Sequence, residues 1–364
     1  MENIQDFFNL NFFKEVRKKM INGDQPAQCT KCYDIEKHGA HSVRQSYISQ
    51  YEDNPVFIKS LENTKVDGEI EATVQSLDFS LSNKCNLKCI MCSPDASYLL
   101  KKDWDTIGIE YSSDFTEGAH KNWNNNPAFE KIIPEISNSL EDMLTTGGEP
   151  FLNNDHYRIL ELIVESGNAH NVNLSYHTNC TVKNEKLFKI WHKFKSISIH
   201  FSIDAHGELN EYIRKNTKWS DVEENVRIML AHPKTICEVH TTIQVLNIFH
   251  LPKLYNWISQ FEDIPQLPFH IWMDNPTWLK ISILPIPLKL LALNILKNHF
   301  QNSPNNDLVF FEKKDQIISY LTRSIKEKQD KEGLEIFRKR IREFEALRGS
   351  KQIQDLVPEL TKIF

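Results

Sequence analysis

Three closely spaced cysteines directly after a predicted strand constrain this chain more than any other feature. Leu77 to Leu81 alternates apolar and polar side chains, which predicts a strand, and Cys85, Cys89 and Cys92 follow at the spacing C-x3-C-x2-C. Clustered thiolates suit zinc or an iron–sulfur cluster. A closed zinc site needs a fourth ligand, but the next cysteine in the sequence is Cys180. Three thiolates on a [4Fe–4S] cluster leave one iron open to a further ligand.

Five more strands are predicted downstream, and helical stretches separate them. They cover residues 142–146, 172–179, 198–204, 238–245 and 269–272. Alternation of strand and helix over residues 77–275 predicts an α/β fold with a parallel sheet. The carboxyl ends of such strands are where ligands usually bind.

Glycines and polar side chains mark these strand ends. Gly147, Gly148 and Glu149 follow the second strand, and the glycines would let the backbone approach a ligand closely. The later strand ends and the segments after them carry Thr178, Asn179, Cys180, Ser202, Asp204, Arg214 and Leu246.

Together, the cysteine spacing, Met91 before the last cysteine and the Gly-Gly-Glu and Ser-x-Asp motifs resemble the radical SAM superfamily. The resemblance implies a partial (β/α)6 TIM-type barrel that binds a [4Fe–4S] cluster and S-adenosyl-L-methionine (SAM). Domains are predicted at residues 1–70, an N-terminal extension with a C-x2-C pair, 71–280, the core barrel, and 281–364, a helical C-terminal extension. A polar stretch at residues 105–128 is predicted to be a long surface loop.

The resemblance also assigns roles to individual residues. Cys85, Cys89 and Cys92 would hold the cluster. Gly147, Gly148 and Glu149 would contact the SAM amino group. Ser202 and Asp204 would lie near the ribose, Arg214, expected on a helix, near the carboxylate, and Leu246 near adenine. Met91, Thr178 and Asn179 are further cofactor-binding candidates. Cys180 stands where family members commonly have glycine, and it is either a small packed side chain or a hydrogen-atom donor.

A second cysteine pair lies near the N-terminus. Cys29 and Cys32 begin the pattern C-x2-C-x3-E-x2-G-x2-S-x-R, which continues through Glu36, Gly39, Ser42 and Arg44. This pattern resembles the segment before the core in twitch-type radical SAM proteins, where the pair helps to hold an auxiliary cluster. No cysteine precedes Cys29, so either the chain starts late, downstream of the native start, or the full auxiliary site is lost. Both a metal at this pair and a reduced pair on a loop stay open, and we expect it to be metal-free or partly occupied.

Composition excludes several other classes of protein. The net charge of −6 gives no sign of a nucleic-acid-binding surface. No apolar run is long enough for a transmembrane helix, and the N-terminus does not resemble a signal peptide. Seven cysteines in unpaired spacings favour a reducing cytoplasm over a disulfide framework.

The resemblance predicts a radical SAM enzyme. An external electron donor of the flavodoxin or ferredoxin type would reduce the cluster, and SAM cleavage would give a 5′-deoxyadenosyl radical that abstracts hydrogen from a substrate carbon. A peptide or protein substrate is expected, with a sugar or nucleoside as the alternative. Two other classes stay open: a non-catalytic iron–sulfur protein, and a methyltransferase that binds SAM without iron.

Overall fold

A computed structural model describes residues 4–37, 41–111, 127–303 and 308–364. The chain divides into two compact units: Met1–Gln75 with Asn126–Leu140, and Ser76–Asn125 with Glu141–Phe364. Most of the loop predicted at residues 105–128 lies outside the described residues, although a helix extends into its start. The three predicted domains are not tested by this division and stay a prediction.

The second unit contains a six-stranded parallel sheet in the described part of the chain, so the predicted α/β class is confirmed. The strands are β1 (Ser76–Ser80), β2 (Lys88–Cys89), β3 (Asp142–Thr146), β4 (Asn173–Thr178), β5 (Ser196–Ser202), β6 (Arg214–Lys215), β7 (Thr235–Ile243) and β8 (Phe269–Trp272). The strand order in the sheet is β1-β3-β4-β5-β7-β8, and β2 and β6 form a separate two-residue antiparallel pair.

Side-chain alternation along the strands gives the sheet one apolar face and one polar face. In β5, Ile197, Ile199 and Phe201 are fully buried, whereas the intervening serines and His200 are half-buried. Because successive side chains of a strand point to opposite faces, the apolar set packs on one face and the polar set shares the other. The polar face carries the candidate site.

Side-chain caps mark where helices begin in both units. Asn54 caps the helix Pro55–Glu62 through its side chain, and Asp330 caps the helix Lys331–Arg348 by accepting a hydrogen bond from the Gly333 amide at 2.8 Å. The Asp330 cap thus starts a new helix within the predicted helical C-terminal extension. The helices are α1 (Ile4–Phe8), α2 (Asn11–Ile21), α3 (Thr30–Lys37), α4 (Val43–Tyr51), α5 (Pro55–Glu62), α6 (Leu100–Ile107), α7 (Pro127–Ser137), α8 (Asn154–Glu165), α9 (Glu185–Trp191), α10 (Glu208–Ile213), α11 (Trp219–Leu230), α12 (Leu251–Ile258), α13 (Ile286–Gln301), α14 (Leu308–Lys326), α15 (Lys331–Arg348) and α16 (Ile353–Leu356).

The C-terminal helices share one hydrophobic core with the end of the sheet. Leu296 of α13, Leu321 of α14 and Phe337 of α15 are buried in the same cluster as Ile213 and Leu246. Burying apolar surface of this kind stabilises the unit by about 25 cal/mol per Å² removed from water. No described helix is both long and apolar enough to cross a membrane.

Candidate cofactor-binding site

The loop that carries the three cysteines is held by its own hydrogen bonds. Cys89 of β2 pairs with Arg214 of β6, and the Ile90 amide donates to the Ile213 carbonyl at 2.8 Å. Ser97 Oγ donates to the Leu87 carbonyl at 2.6 Å. These bonds fix the backbone on both sides of Cys89.

The three cysteines open onto one cavity of about 240 Å³. It brings together side chains from the cysteine loop and from the ends of several strands. Its lining residues are Cys85, Leu87, Cys89, Met91, Cys92, Ala96, Ser97, Gly147, Gly148, His177, Asn179, Ser202, Arg214 and Thr242. All these residues belong to the second unit, and nine of them were predicted from the sequence as site residues.

Burial and mutual contact set the protonation of the thiols. Burial raises the pKa of Cys85 to about 12, and the hydrogen bond with Cys89, followed by burial, raises the pKa of Cys92. The same hydrogen bond from Cys92 lowers the pKa of Cys89. Because metal ligands must be thiolates, loading iron here would displace protons from at least Cys85 and Cys92.

Two glycines let the turn after β3 approach the cysteine loop. Gly147 and Gly148 have φ of +81° and +54°, in the left-handed region that favours glycine. A Cβ atom on Gly148 would lie within 3.0 Å of the Lys84 carbonyl oxygen. The Glu149 amide donates to this same carbonyl at 2.9 Å, which ties the turn to the residue before Cys85.

The Glu149 carboxylate joins the ends of β3 and β4 and does not line the cavity. It accepts hydrogen bonds from Thr178 Oγ1 at 2.8 Å and from the Asn179 amide at 2.7 Å. Burial raises its pKa to about 7, although these hydrogen bonds oppose the shift. The Asn179 side chain, by contrast, lines the cavity, and its Nδ2 lies 3.8 Å from Cys85 Sγ.

A buried ion pair holds Arg214 at the cavity. Asp204, which is fully buried, accepts from Arg214 Nε at 2.8 Å through Oδ2 and from the Thr242 amide at 2.9 Å through Oδ1. Burial lowers the pKa of Arg214, but the charges of Asp204 and Cys89 outweigh it, and the net pKa is raised. Arg214 is therefore a permanent cation, and its Nη1 lies 3.9 Å from Cys89 Sγ.

Several predicted residues occupy places that the sequence did not indicate. Arg214 does not lie on a helix: α10 ends at Ile213, and Arg214 begins β6. Ser202 lines the cavity, whereas Asp204 is enclosed behind Arg214. Leu246 is fully buried in the hydrophobic core and is not among the lining residues.

Cys180 has the backbone of the glycine that it replaces. Its φ is +61°, its side chain is fully buried, and its thiol donates to the Thr178 carbonyl at 3.6 Å. Burial also raises its pKa well above the usual value. This placement favours the packed side chain over the hydrogen-atom donor.

Of the five lining residues that were missed as site candidates, two polar ones lie on strands of the sheet. His177 lies two residues before Asn179 on β4, and Thr242 lies near the end of β7. Both belong to the polar set of their strands, so applying the two-residue period to each predicted strand would have found them.

The N-terminal cysteine pair belongs to the first unit. Cys29 ends a short 3-10 turn, Cys32 lies in the first turn of α3, and both are free thiols of intermediate exposure. The neighbouring motif residues form a network in which Glu36 accepts from Arg44 Nε at 3.0 Å and from Ser42 Oγ. These contacts of Glu36, Ser42 and Arg44 therefore tie α3, which carries Cys32, to the start of α4.

The residues at the cavity fit an iron–sulfur cluster. Three soft thiol donors face one space, and among the described residues no fourth protein thiol lines it. The three sulfurs are not gathered within 4.8 Å of one another, a spacing that only His200, Glu238 and His240 achieve in the described chain. A multi-iron group suits such an arrangement better than a single ion.

Comparison with known proteins agrees with this geometry, because residues 79–258 match the radical SAM superfamily. These residues form a radical SAM superfamily domain. The match covers the cysteine loop, the glycine turn, Asp204 and Arg214. Members of the radical SAM superfamily are enzymes that use a [4Fe–4S] cluster and SAM, so the predicted enzyme class and both cofactors are confirmed at the level of the family.

Solved structures similar to this chain include native anSMEcpe with bound AdoMet, at 18% identity and a TM-score of 0.43, over 62% of this chain and 60% of that one. Streptococcus suis SuiB bound to S-adenosylmethionine matches at 14% identity and a TM-score of 0.40, over 86% and 60%. The chain thus spans about 60% of the length of these structures. No curated protein matches the chain significantly.

Proposed function

We propose that this protein is a radical SAM enzyme in which Cys85, Cys89 and Cys92 hold a [4Fe–4S] cluster and the adjoining cavity takes SAM. The observation that carries the proposal is the convergence of three thiols, a glycine turn and a fixed guanidinium on one cavity. When bound and reduced by an external electron donor, the cluster supplies the electron that cleaves SAM to methionine and a 5′-deoxyadenosyl radical.

The residues of this chain hold and orient that chemistry. Asp204 fixes the Arg214 guanidinium through Nε, so the rest of the guanidinium is available to a SAM carboxylate, which arginine binds well. Gly147 and Gly148 expose backbone at the cavity for the SAM amino group. Ser202 supplies a hydroxyl suited to the ribose.

Three further predicted residues do not line the cavity but hold the residues around it in place. Glu149 and Asp204 act here by positioning Asn179 and Arg214, respectively, through the hydrogen bonds described above. Leu246 contributes to the core beneath the adenine region. Cys180 has no role in the proposed chemistry because its thiol is enclosed.

SAM affinity tests the role of Arg214 directly. Arg214→Ala removes a charged contact, so we expect SAM binding to weaken by roughly 1.5–3 kcal/mol, or about 10- to 150-fold. Equilibrium dialysis of the anaerobic protein with labelled SAM measures this. Arg323→Ala is the matched control, since Arg323 is 72% exposed on α14. Unchanged SAM affinity in Arg214→Ala would remove the residue from the site.

The proposed substrate is a peptide or protein. The support is that the Cys29-to-Arg44 motif resembles twitch-type proteins with an auxiliary cluster, and relatives with such clusters often modify peptides or proteins. Sugars and nucleosides are the alternative. A short open reading frame beside the gene would supply a candidate peptide. The test is the mass change of that peptide with reduced enzyme and SAM, run in parallel with sugar and nucleoside panels. Turnover confined to a small molecule would reject the peptide.

A single stable cluster is part of the proposal. Cys29 and Cys32 offer only two thiols, whereas a [4Fe–4S] cluster is normally held by four ligands. Anaerobic reconstitution should therefore give about four irons per chain, the content of one cluster. About eight irons, falling to about four in Cys29→Ala/Cys32→Ala, would establish an auxiliary cluster and favour the twitch-type branch.

A further inference from the structure

Three histidines and a glutamate lie together on the polar face of the sheet, beneath the cavity. His177 of β4, which lines the cavity, is the register partner of His200 in β5, and His200 is the partner of Glu238 in β7. His240 lies two residues beyond Glu238, on the same face. The neighbouring positions Ser202 and Thr242 line the cavity, so this histidine cluster continues its wall.

The geometry of three of these side chains is that of a metal site. One ligand atom each from His200, Glu238 and His240 lies within 4.8 Å of the other two. The His200 and His240 ring centroids are 4.3 Å apart. In a tetrahedral zinc site the ligand atoms are about 3.4 Å apart, so modest side-chain rotations would close the set.

Three of the four ring nitrogens of His200 and His240 lack a hydrogen-bond partner in the described structure. His200 Nδ1 and both ring nitrogens of His240 are buried and make no hydrogen bond. His240 Nε2 lies 3.5 Å from Glu238 Oε2, near enough for an ion pair but without hydrogen-bond geometry. Buried polar atoms normally find partners, and a bound metal ion would satisfy these.

We propose that His200, Glu238 and His240 bind a divalent transition-metal ion of the zinc class, in addition to the cluster and SAM. Two imidazoles and one carboxylate are a ligand set used by zinc and by non-haem iron. Three protein ligands leave at least one coordination position for water or a substrate oxygen. The site therefore places a Lewis acid below the cavity.

The charges around the site are compatible with one ion. Lys313 of α14 donates to Glu238 Oε1 and to the Leu267 carbonyl, and it leaves Oε2 directed towards His240. Such a contact to the second oxygen of a ligating carboxylate orients it, as outer partners of metal ligands commonly do. The ring centroid of His177 lies 4.8 Å from that of His200 and 5.2 Å from that of His240.

Zinc stoichiometry is the test. Reconstituted protein is dialysed to equilibrium against low micromolar zinc, and zinc and iron are counted separately by mass spectrometry. Wild type should hold about one zinc more per chain than His200→Ala/His240→Ala. His192→Ala/His232→Ala is the matched control, because it removes another pair of adjacent rings, 4.6 Å apart, outside the site, and it should bind as much zinc as wild type.

Further measurements guard against misfolding and against zinc at the cysteines. Glu238→Gln preserves side-chain shape and should weaken zinc binding at least about tenfold. Zinc-edge absorption should show nitrogen and oxygen neighbours at about 2.0–2.2 Å, without sulfur at about 2.3 Å. Equal zinc in wild type and His200→Ala/His240→Ala, or a sulfur shell, would overturn the proposal. Because iron is counted separately, that failure is distinct from a failure of the cluster.

Discussion

Arg214 Nε lies 2.8 Å from Asp204 Oδ2, and this pair joins the separate β2–β6 ribbon to the end of β5. Asp204 is completely buried, and Arg214 is nearly so. The pair thus holds a cation beside Cys89 at a fixed position. Neutral or mobile side chains in its place would leave the cavity without the preorganised cation that we propose for the SAM carboxylate.

The first prediction concerns stability. Asp204→Asn should lower the free energy of unfolding by roughly 3–5 kcal/mol, because it leaves the buried Arg214 charge without its partner. Urea unfolding of the anaerobic protein measures the change. Asp221→Asn, at an exposed aspartate in the first turn of α11, is the control. Equal effects of the two substitutions would show that the ion pair does not hold the fold.

The second prediction concerns the glycine turn. Gly148→Ala and Gly349→Ala impose the same backbone strain, since both glycines have φ near +55°, but a Cβ meets the Lys84 carbonyl only at Gly148. We expect Gly349→Ala to cost about 1–2 kcal/mol. Gly148→Ala should cost about 1–3 kcal/mol more because of overpacking. It should also reduce iron loading, because the clash displaces the residue before Cys85.

If Gly148→Ala loads iron as well as Gly349→Ala does, the turn does not control the position of the cysteine loop. Iron per chain and urea unfolding are measured on both variants in parallel.

The third prediction concerns Cys180. Its thiol is enclosed and its backbone is that of a glycine, so Cys180→Gly should retain both the iron content and SAM cleavage. Relief of the left-handed strain, about 1–2 kcal/mol, offsets lost packing. Loss of iron would instead identify Cys180 as a cluster ligand. Retained SAM cleavage with lost substrate turnover would support the hydrogen-atom donor.

The strands and the cysteine loop could be predicted because their signals are local. The bounds predicted for the strands at residues 142–146 and 269–272 are those of β3 and β8, and the apolar alternation determined which face each side chain takes. The motifs at the strand ends then converge because parallel strands end at one edge. The two-residue period, the alternation of strand and helix, and the family resemblance of the motifs together predicted that Cys85, Gly148 and Ser202 lie at the same edge of the sheet.

Long-range pairing could not be predicted in the same way. The β2–β6 ribbon spans two residues on each side, too short for any periodic signal, yet it decides where Arg214 lies. Glu149 and Asp204 carry the expected residue types, but their hydrogen-bond partners come from β4 and β7. The histidine cluster depends on the register of three strands, which the sequence does not specify.

The fourth prediction concerns acid stability. Burial lowers the pKa of His156 from 6.5 to about 3, and its Nε2 contacts the Tyr176 hydroxyl at 3.0 Å. Protonation therefore favours the unfolded chain: this stabilisation is complete above pH 6.5 and is lost progressively as the pH falls towards 3. Between pH 7 and pH 5 the loss is about 2 kcal/mol.

His156→Gln can keep the hydrogen bond to Tyr176 but cannot be protonated. Its free energy of unfolding should therefore fall by about 2 kcal/mol less than that of wild type between pH 7 and pH 5. Urea titrations at the two pH values measure the slopes. Identical slopes would mean that His156 is already accessible to protons in the folded state.

The most direct test of the central claim is SAM cleavage by Cys89→Ala under reducing, anaerobic conditions. Wild type and the control Cys237→Ala, which removes a buried free thiol outside the site, should each hold about four irons and release methionine and 5′-deoxyadenosine. Cys89→Ala should release neither product while most of the fold remains intact. SAM cleavage by Cys89→Ala at the wild-type rate would contradict the assignment of the cluster to Cys85, Cys89 and Cys92.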